Sequence, residues 1–511
     1  MAKIILCGFM GSGKTTIGRE LSKNLKIPFF DLDSEIEKRF GKDIDKIFQD
    51  NGENLFRKIE KDVLLEFLEK KKDFVLAVGG GAIIDTESLN RVLKNSIPVL
   101  LDGRPEVFYE RIKGDRKRPL LHSLHDFVLL FEQRKHIYMK IPLKINAERP
   151  LHNIVSDIMW ILKRREFHNP QKIILQVGIS FSLVNKEFDF LIIDENVYKI
   201  YKERFKIKNK YIVSGGERAK NLDEVSDIYE ALLNSGVEKD GKVAGVGGGV
   251  ISDISGFVSS TYMRGVNLYL VPTTFLSQVD SSIGGKNGVN LSSGKNLVGT
   301  FYLPGYTYID PLFLWTLPGR EIISGLGEVF KYGILSENGI FEMLERAYKF
   351  DFMTILKFIY PAILEKIKWI KNDMFDRKGE RVFLNLGHTV GHMVERIIGF
   401  GNLTHGEAVA FGILVSAYIS NRSKILKDSD FERIMFLYKK LDFHVKKFAP
   451  ILNFKEDDLI KTLLLDKKTN SRKLTLVLPK RIGEVFLKRD FQPELLTKFL
   501  LEFLRDFKEE I

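Results

Sequence analysis

The stretch that most limits what this chain can become is K-I-I-L-C-G-F-M-G-S-G-K-T-T at 3–16. An apolar run leads into a glycine loop and then a helical pattern, and residues 8–15 match G-x-x-x-x-G-K-[ST] in the strand–loop–helix context that gives the match meaning. Such a loop works only where a buried strand hands over to a helix N-terminus, so the chain opens with an α/β sheet. Backbone N–H groups of Gly11, Ser12, Gly13, Lys14, Thr15 and Thr16 are expected to wrap a polyphosphate, with Lys14 against its terminal oxygens and the Thr15 hydroxyl on magnesium. The loop marks a nucleotide binder and leaves the acceptor open.

At 511 residues the chain has room for two or three domains, each with its own core. Its single cysteine, Cys7, excludes a disulfide framework and fits a reducing cytoplasm. The N-terminus runs straight into a strand pattern, without a signal-peptide pattern, and no apolar run reaches membrane-spanning length. The formal net charge is +12, but the basic residues are spread along the chain with no basic–aromatic platform. That distribution argues against nucleic acid and for small anionic substrates, and the lack of a long apolar run leads us to expect no membrane partner.

The next motifs arrive in a fixed order. P-F-F-D-L-D-S-E-I-E puts Asp31 and Asp33 at the carboxyl edge of a strand, where open α/β sheets hold ligands. Then come L-F-R-K-I-E with Arg57 and Glu60, V-L-A-V-G-G-G-A-I with Gly79, Gly80 and Gly81, D-R-K-R-P-L-L with Arg116 and Arg118, and E-Q-R-K-H-I-Y with Arg134. Singly, Arg57 reads as a surface arginine and Asp31 as a helix cap. As an ordered set, residues 1–165 resemble shikimate kinase. The resemblance implies ATP with Mg2+ held by Thr15 and Asp31, and shikimate as acceptor. It implies that Asp33 orients and deprotonates the acceptor hydroxyl, that Arg57 and Arg134 clamp a carboxylate, and that Gly79 and Gly80 let a ring lie against backbone. Arg118, on a lid, would stabilise the transferring phosphoryl group. His136 stands where the family has proline.

P-L-H-N-I-V-S-D-I-M-W-I-L-K-R-R at 150–165 reads as a closing amphipathic helix that F-H-N-P stops, and no flexible linker follows. We therefore expect a first domain over 1–168 and an α/β unit over 169–315. In that unit F-D-F-L-I-I-D ends on Asp194, placed for ribose hydroxyls. V-A-G-V-G-G-G-V-I-S-D opens a helix without matching a Rossmann fingerprint. A mostly helical unit, 316–511, follows. In it Arg381, Asn385, His388, His392 and Glu395 fall on one face if 381–395 is helical, flanked by apolar residues, and T-H-G-E adds His405. Glu328 lies in an apolar helix, where an unpaired carboxylate is costly, and either Lys331 or a metal would resolve it. Two imidazoles and a carboxylate suit zinc with open positions. H-T-V-G-H lacks the zincin glutamate, which disfavours a peptidase. Spacing does not say which histidines are ligands.

Taken together, 172–500 resembles 3-dehydroquinate synthase, through V-P-T-T-F-L-S-Q-V-D-S-S-I-G-G-K, G-L-G-E-V-F-K-Y-G and L-N-L-G-H-T-V-G-H. The resemblance implies Glu328, His388 and His405 as ligands of Zn2+ (or Co2+), with His392 a substrate contact. It implies NAD contacts at Asp194, Glu217, Lys220, Gly248, Gly249, Val250, Asp253, Thr273, Thr274, Phe313 and Thr316. A heptulosonate phosphate would meet Asp280, Lys286, Lys295, Asn296, Lys331, Lys366, Arg381, Asn385, His392 and Lys467 or Lys468. Arg264 would reach a neighbouring subunit, so a homodimer is expected. The segment before Arg381, N-D-M-F-D-R-K-G-E-R, carries one residue more than the family pattern.

The chemistry implied is oxidation of a hydroxyl by NAD, elimination of phosphate, reduction of the ketone, and ring opening and closure to 3-dehydroquinate. Lys14, Asp33, Lys286, Lys331, Arg381 and His392 are the candidate catalytic groups. One alternative is a metal-dependent polyol or alcohol dehydrogenase fused to another small-metabolite kinase; the lysines at 286–296 and the Arg381–Asn385 pair, which a simple alcohol does not need, argue against it. A non-catalytic P-loop sensor is a second alternative, opposed by the intact site residues.

Overall fold

The computed structural model describes residues 3–70, 72–113, 123–168, 170–183, 188–205, 207–292, 294–399, 401–465 and 474–507. Arg116, Arg118, Lys467 and Lys468 lie outside the described residues. Five strands, β1 (Lys3–Cys7), β2 (Phe29–Asp31), β3 (Phe74–Ala77), β4 (Ile97–Asp102) and β5 (Leu143–Asn146), form a sheet ordered β2-β3-β1-β4-β5. Every pairing in it is parallel. The unbroken apolar runs of β1, β3 and β4 fit strands covered by helices on both faces.

Nine strands follow: β6 (Arg165–Phe167), β7 (Ile173–Leu175), β8 (Phe190–Asp194), β9 (Lys210–Val213), β10 (Lys242–Gly247), β11 (Asn267–Pro272), β12 (Lys286–Leu291), β13 (Gly294–Phe301) and β14 (Tyr306–Ile309). Seven make a second sheet ordered β6-β7-β14-β11-β10-β8-β9, while β12 and β13 pair as an antiparallel hairpin. From β8 the chain moves outward to β9, and from β10 it moves the other way to β11. The carboxyl ends of β8 and β10 therefore flank a topological switch point, where α/β sheets leave a ligand crevice. The last unit is helical apart from the hairpin of β15 (Leu474–Arg481) and β16 (Glu484–Phe491).

The junction between the first two units is tighter than the sequence predicts. The expected helix forms at Leu151–Leu162 and buries Ile154, Val155, Ile158 and Ile161. The chain then continues as β6, which pairs antiparallel with β7, so the second sheet begins before residue 168. A single apolar cluster runs from Ile5 and Leu100 through Ile158, Ile161 and Leu175 to Leu356 and Val409. The Arg204 guanidinium reaches across to the last turn of the helix Thr86–Asn95, donating to the carbonyls of Leu93 at 3.1 Å and Lys94 at 2.8 Å. It stacks on Phe181 and Tyr201, 3.9 and 4.4 Å from their ring centroids.

The helix expected through 381–395 is broken. Arg381–Asn385 is a 3-10 turn, Gly387 takes φ 80°, and a new helix runs His388–Ile398. The apolar–polar pattern carries across the break, but left-handed backbone at Gly387 does not belong inside a helix.

Candidate active sites

In the first unit, Gly13 (φ 88°) starts the helix Lys14–Leu25 without a side-chain cap, leaving its first N–H groups for a ligand. Gly11 has backbone freedom that the loop requires: at φ 77°, a Cβ there would lie 2.2 Å from the Phe108 carbonyl oxygen. Lys14 folds over the loop and donates to the carbonyls of Gly8 (2.9 Å) and Phe9 (3.0 Å). Thr15 Oγ1 donates to Asp31 Oδ2 at 2.6 Å, so the two expected magnesium residues do meet. The Asp33 backbone N–H donates to Asp31, which is also the cap of the next helix. Ser12 is buried and Thr16 is exposed.

Opposite the loop, Arg57, Gly79, Gly80, Asp33 and Arg134 converge. A Cβ on Gly79 would stand 3.0 Å from Asp33 Oδ1 and 2.5 Å from Glu60 Oε1, and one on Gly81 would strike the Arg57 guanidinium. Arg134 donates to the Gly80 carbonyl at 3.2 Å, and the Tyr138 hydroxyl donates to the same oxygen. Arg57 pairs with Glu60 at 2.6 Å. Burial pushes the Glu60 carboxyl up, with Arg57 opposing. Glu60 and Tyr138 were given no role from sequence; the three-residue spacing from Arg57 to Glu60 is the signal for the first.

In the second unit Asp194, at the end of β8, caps the helix Glu195–Tyr201 by accepting from Asn196 N and Val197 N. Across the crevice Gly248 begins the helix Gly249–Thr261 with no side-chain cap, and Val250 is in its first turn. A Cβ on Gly248 would come within 3.0 Å of Thr274. Buried Lys220 pairs with Asp253, and Glu217 accepts from Asn290 at 2.8 Å. Thr273 follows β11, while Thr316 and Phe313 are tied to Tyr201, by a 2.7 Å hydroxyl contact and by ring packing at 5.2 Å. These residues and uncapped N–H groups fit a dinucleotide.

The third cluster sits where the helices Gly319–Leu335, His388–Ile398 and His405–Arg422 cross. Glu328 is fully buried, and its Oε1 lies 3.7 Å from His388 Nε2 and 3.6 Å from His405 Nε2. Among the described residues, that oxygen receives no hydrogen bond. Burial raises the Glu328 carboxyl, but Lys331, in contact with it, outweighs burial and holds it below the usual carboxylate range. Burial, then Lys331, pushes the His388 imidazole down to about 3, leaving the neutral form a metal takes. For His405 burial opposes charge, yet Glu328 and Glu395 hold it up at about 10. The donor set fits a divalent ion. Glu395 lies 3.6 Å from His405 Nδ1, an orienting contact that sequence reasoning did not assign. His392, with Glu395 and His405, forms an overlapping trio, so geometry alone leaves its part open.

Cations ring this cluster. Asp280 accepts from Tyr332 and from Lys366 at 2.8 Å, with Lys331 at 3.8 Å. Burial raises its carboxyl, but the two lysines hold it well below the usual range. Arg381 is buried and donates to the carbonyls of Gly284 (3.1 Å) and Met374 (2.7 Å). Lys295 lies 3.8 Å from Glu395, and Asn296 beside it takes φ 53°. Asn385, separated from the histidines by the break at Gly387, is exposed and lines a small pocket with Thr389, Ser416 and Leu476. Arg264 is exposed, at φ 63° after Met263 at φ 48°.

A chain built this way is a two-site enzyme, with a P-loop phosphotransferase continuous with a dinucleotide- and metal-dependent enzyme. Residues 10–163 match the family of shikimate kinase, 210–324 that of the 3-dehydroquinate synthase N-terminal region, and 325–469 that of its C-terminal region. The bifunctional shikimate kinase/3-dehydroquinate synthase of Thermotoga maritima is 34% identical over 499 residues, covering 96% of this chain and 98% of that one. The chain belongs to the bifunctional shikimate kinase/3-dehydroquinate synthase family. The 3-dehydroquinate synthase of Alkaliphilus metalliredigens is 39% identical over 329 residues, 61% of this chain and 89% of its own length. Among solved structures, a 2-deoxy-scyllo-inosose synthase complexed with carbaglucose-6-phosphate, NAD+ and Co2+ is 26% identical, with a TM-score of 0.58. The likeness spans 66% of this chain and 99% of that one.

Proposed function

We propose that the chain phosphorylates shikimate with ATP in its first unit and converts 3-deoxy-D-arabino-heptulosonate 7-phosphate to 3-dehydroquinate and phosphate in the other two. The observation that carries the second half is Glu328 with His388 and His405 converging on one point inside a ring of lysines and Arg381. A dehydrogenase acting on a neutral alcohol has no use for that ring.

In the kinase site Asp33 takes the hydroxyl proton, Arg57 and Arg134 grip the carboxylate, and Lys14 neutralises the transferring phosphoryl group. Thr15 and Asp31 would hold magnesium. In the synthase site Glu328, His388 and His405 would hold zinc or cobalt, and the crevice between β8 and β10 would hold NAD. Bound there, the two supply polarisation of a hydroxyl and a reversible hydride acceptor. Lys286, Lys295, Asn296 and Arg381 receive phosphate and carboxylate; Lys331, Lys366 and Asp280 fix the ring hydroxyls; His392 contacts the substrate and moves a proton. Arg264, on its exposed turn, enters the site of a second copy, which makes the protein a homodimer. The working division stays near 168 and 315, with β6 already part of the second sheet and the synthase site drawing on residues from both sides of 315. Among the described residues no helix is long and apolar enough to cross a membrane, and the single cysteine, Cys7, suits a reducing cytoplasm.

The test is phosphate release from the heptulosonate substrate, with and without chelator, repeated for His388→Ala, alongside ADP formation with shikimate. Chelation and the substitution should each abolish phosphate release while the kinase reaction, supplied with magnesium, persists. Release that survives either treatment defeats the metal assignment.

A further inference from the structure

The loop 371–381, where the chain carries its additional residue, has a carboxylate in an unexpected place. Lys286 Nζ lies 2.6 Å from Asp376 Oδ2, an ion pair linking β12 to this loop. Asp376 takes φ 55°, a left-handed conformation that costs a side-chain-bearing residue and is kept only where surroundings impose it. They do. The Asp373 carboxylate accepts from the backbone N–H groups of Arg377, Lys378, Glu380 and Arg381, at 2.7, 2.9, 3.0 and 3.3 Å, and locks the turn. Phe375 packs edge-on against Phe301 at 5.8 Å, and the Phe301 ring has Lys286 at 6.0 Å and Arg381 at 5.8 Å. After burial, which lowers it, the charge acting most strongly on Arg381 is that of Asp376. Asp376 thus pairs directly with one of the cations that the function above assigns to the substrate's anionic groups, Lys286, and its charge bears on a second, Arg381.

We propose that Asp376 is a built-in counter-anion of the synthase cleft: it holds Lys286 in place, and an arriving anion must take that lysine from it. Asp376 thereby sets how much negative charge a ligand needs to bind, and keeps small anions, the released phosphate among them, from lingering. The inference rests on the heptulosonate reading for its purpose but is tested without turnover.

Inorganic phosphate is titrated calorimetrically into the full chain with NAD and Zn2+ present, at low salt, for wild type, Asp376→Asn and Asp376→Glu. Asparagine keeps the shape and tolerates the left-handed backbone, and glutamate keeps the charge. The pair is partly exposed, so its removal should tighten phosphate binding by about two- to fivefold, with the glutamate variant near wild type. Phosphate should then be a correspondingly stronger product inhibitor of the asparagine variant. Unchanged or weaker phosphate binding by Asp376→Asn, or equal tightening by Asp376→Glu, overturns the proposal. Failure of the wild type to turn over the heptulosonate substrate would instead sink the functional reading and leave the phosphate comparison standing.

Discussion

Gly406 is pressed against Ser324: a Cβ on Gly406 would lie 1.8 Å from the Ser324 carbonyl oxygen, and one on Gly327 2.3 Å from the carbonyl oxygen of Gly406. Backbone meets backbone here, and the neighbours of these glycines in sequence are Glu328 and His405. The close crossing is what brings a carboxylate and an imidazole from different helices to one point. Gly406→Ala should force the helices apart, at a cost of about 1–3 kcal/mol or more. We expect zinc to be lost on dialysis and phosphate release to fall by about a hundredfold, with the kinase reaction retained. Full zinc content in the variant would contradict this.

The clamp proposed for Arg57 and Arg134 depends on geometry as much as on charge. Arg134 is tied to the Gly80 carbonyl and Arg57 to Glu60, so each presents its guanidinium at a fixed angle. Arg57→Lys keeps the charge and loses the planar fork, and should raise the KM for shikimate by about tenfold or more. The KM for ATP should stay within about twofold if, as proposed, Arg57 contacts only the acceptor. Steady-state kinetics varying each substrate would show an equal rise in both if Arg57 were merely structural.

Acid should loosen the loop below Arg381 before it unfolds the protein. Burial raises the Asp373 carboxyl, but the N–H groups of Lys378, Arg381, Arg377 and Glu380 outweigh it and hold it at about 2. The folded value lies below the unfolded one of about 3.9, so the stabilisation is complete above about pH 4 and drains away as the pH falls toward 2. Protection factors of amides 377–381 should drop across that window in the wild type and show no such step in Asp373→Asn. Hydrogen exchange followed by mass spectrometry reads both.

Arg204 is buried, and burial pushes its guanidinium down to about 10. It nevertheless supplies donors to two helix-end carbonyls of the first unit. Arg204→Met keeps the packing against Phe181 and Tyr201 but strands both oxygens, and should cost about 1–3 kcal/mol per acceptor left unsatisfied. Calorimetry should show the kinase unit melting earlier than the rest, and a single unchanged transition would rule this out.

Much of this molecule was legible in the chain because its chemistry is local. The P-loop announces a strand, a turn and a helix within fourteen residues, and Glu328 stood out as an acid in an apolar helix, while the choice of His388 and His405 over His392 came from the family resemblance and not from spacing. The break at Gly387 was not legible, since a glycine with φ 80° continues a helical pattern as well as one with φ −60° does. Glu395 was visible on the helix face but not its contact with His405, which depends on a second helix. Arg204 and Asp376 were given no role from sequence, because their partners lie 110 and 90 residues away and no spacing rule spans such distances.

The short strand β6 has a bearing on any attempt to make the two enzymes separately. Cut between residues 168 and 172, the C-terminal fragment would present Ile173, Ile174 and Leu175 along an open sheet margin, a bare row of amides and carbonyls on which a second fragment can stack. The fused arrangement is in that respect a guard against clumping, and a soluble stand-alone synthase will need to start upstream of Arg165.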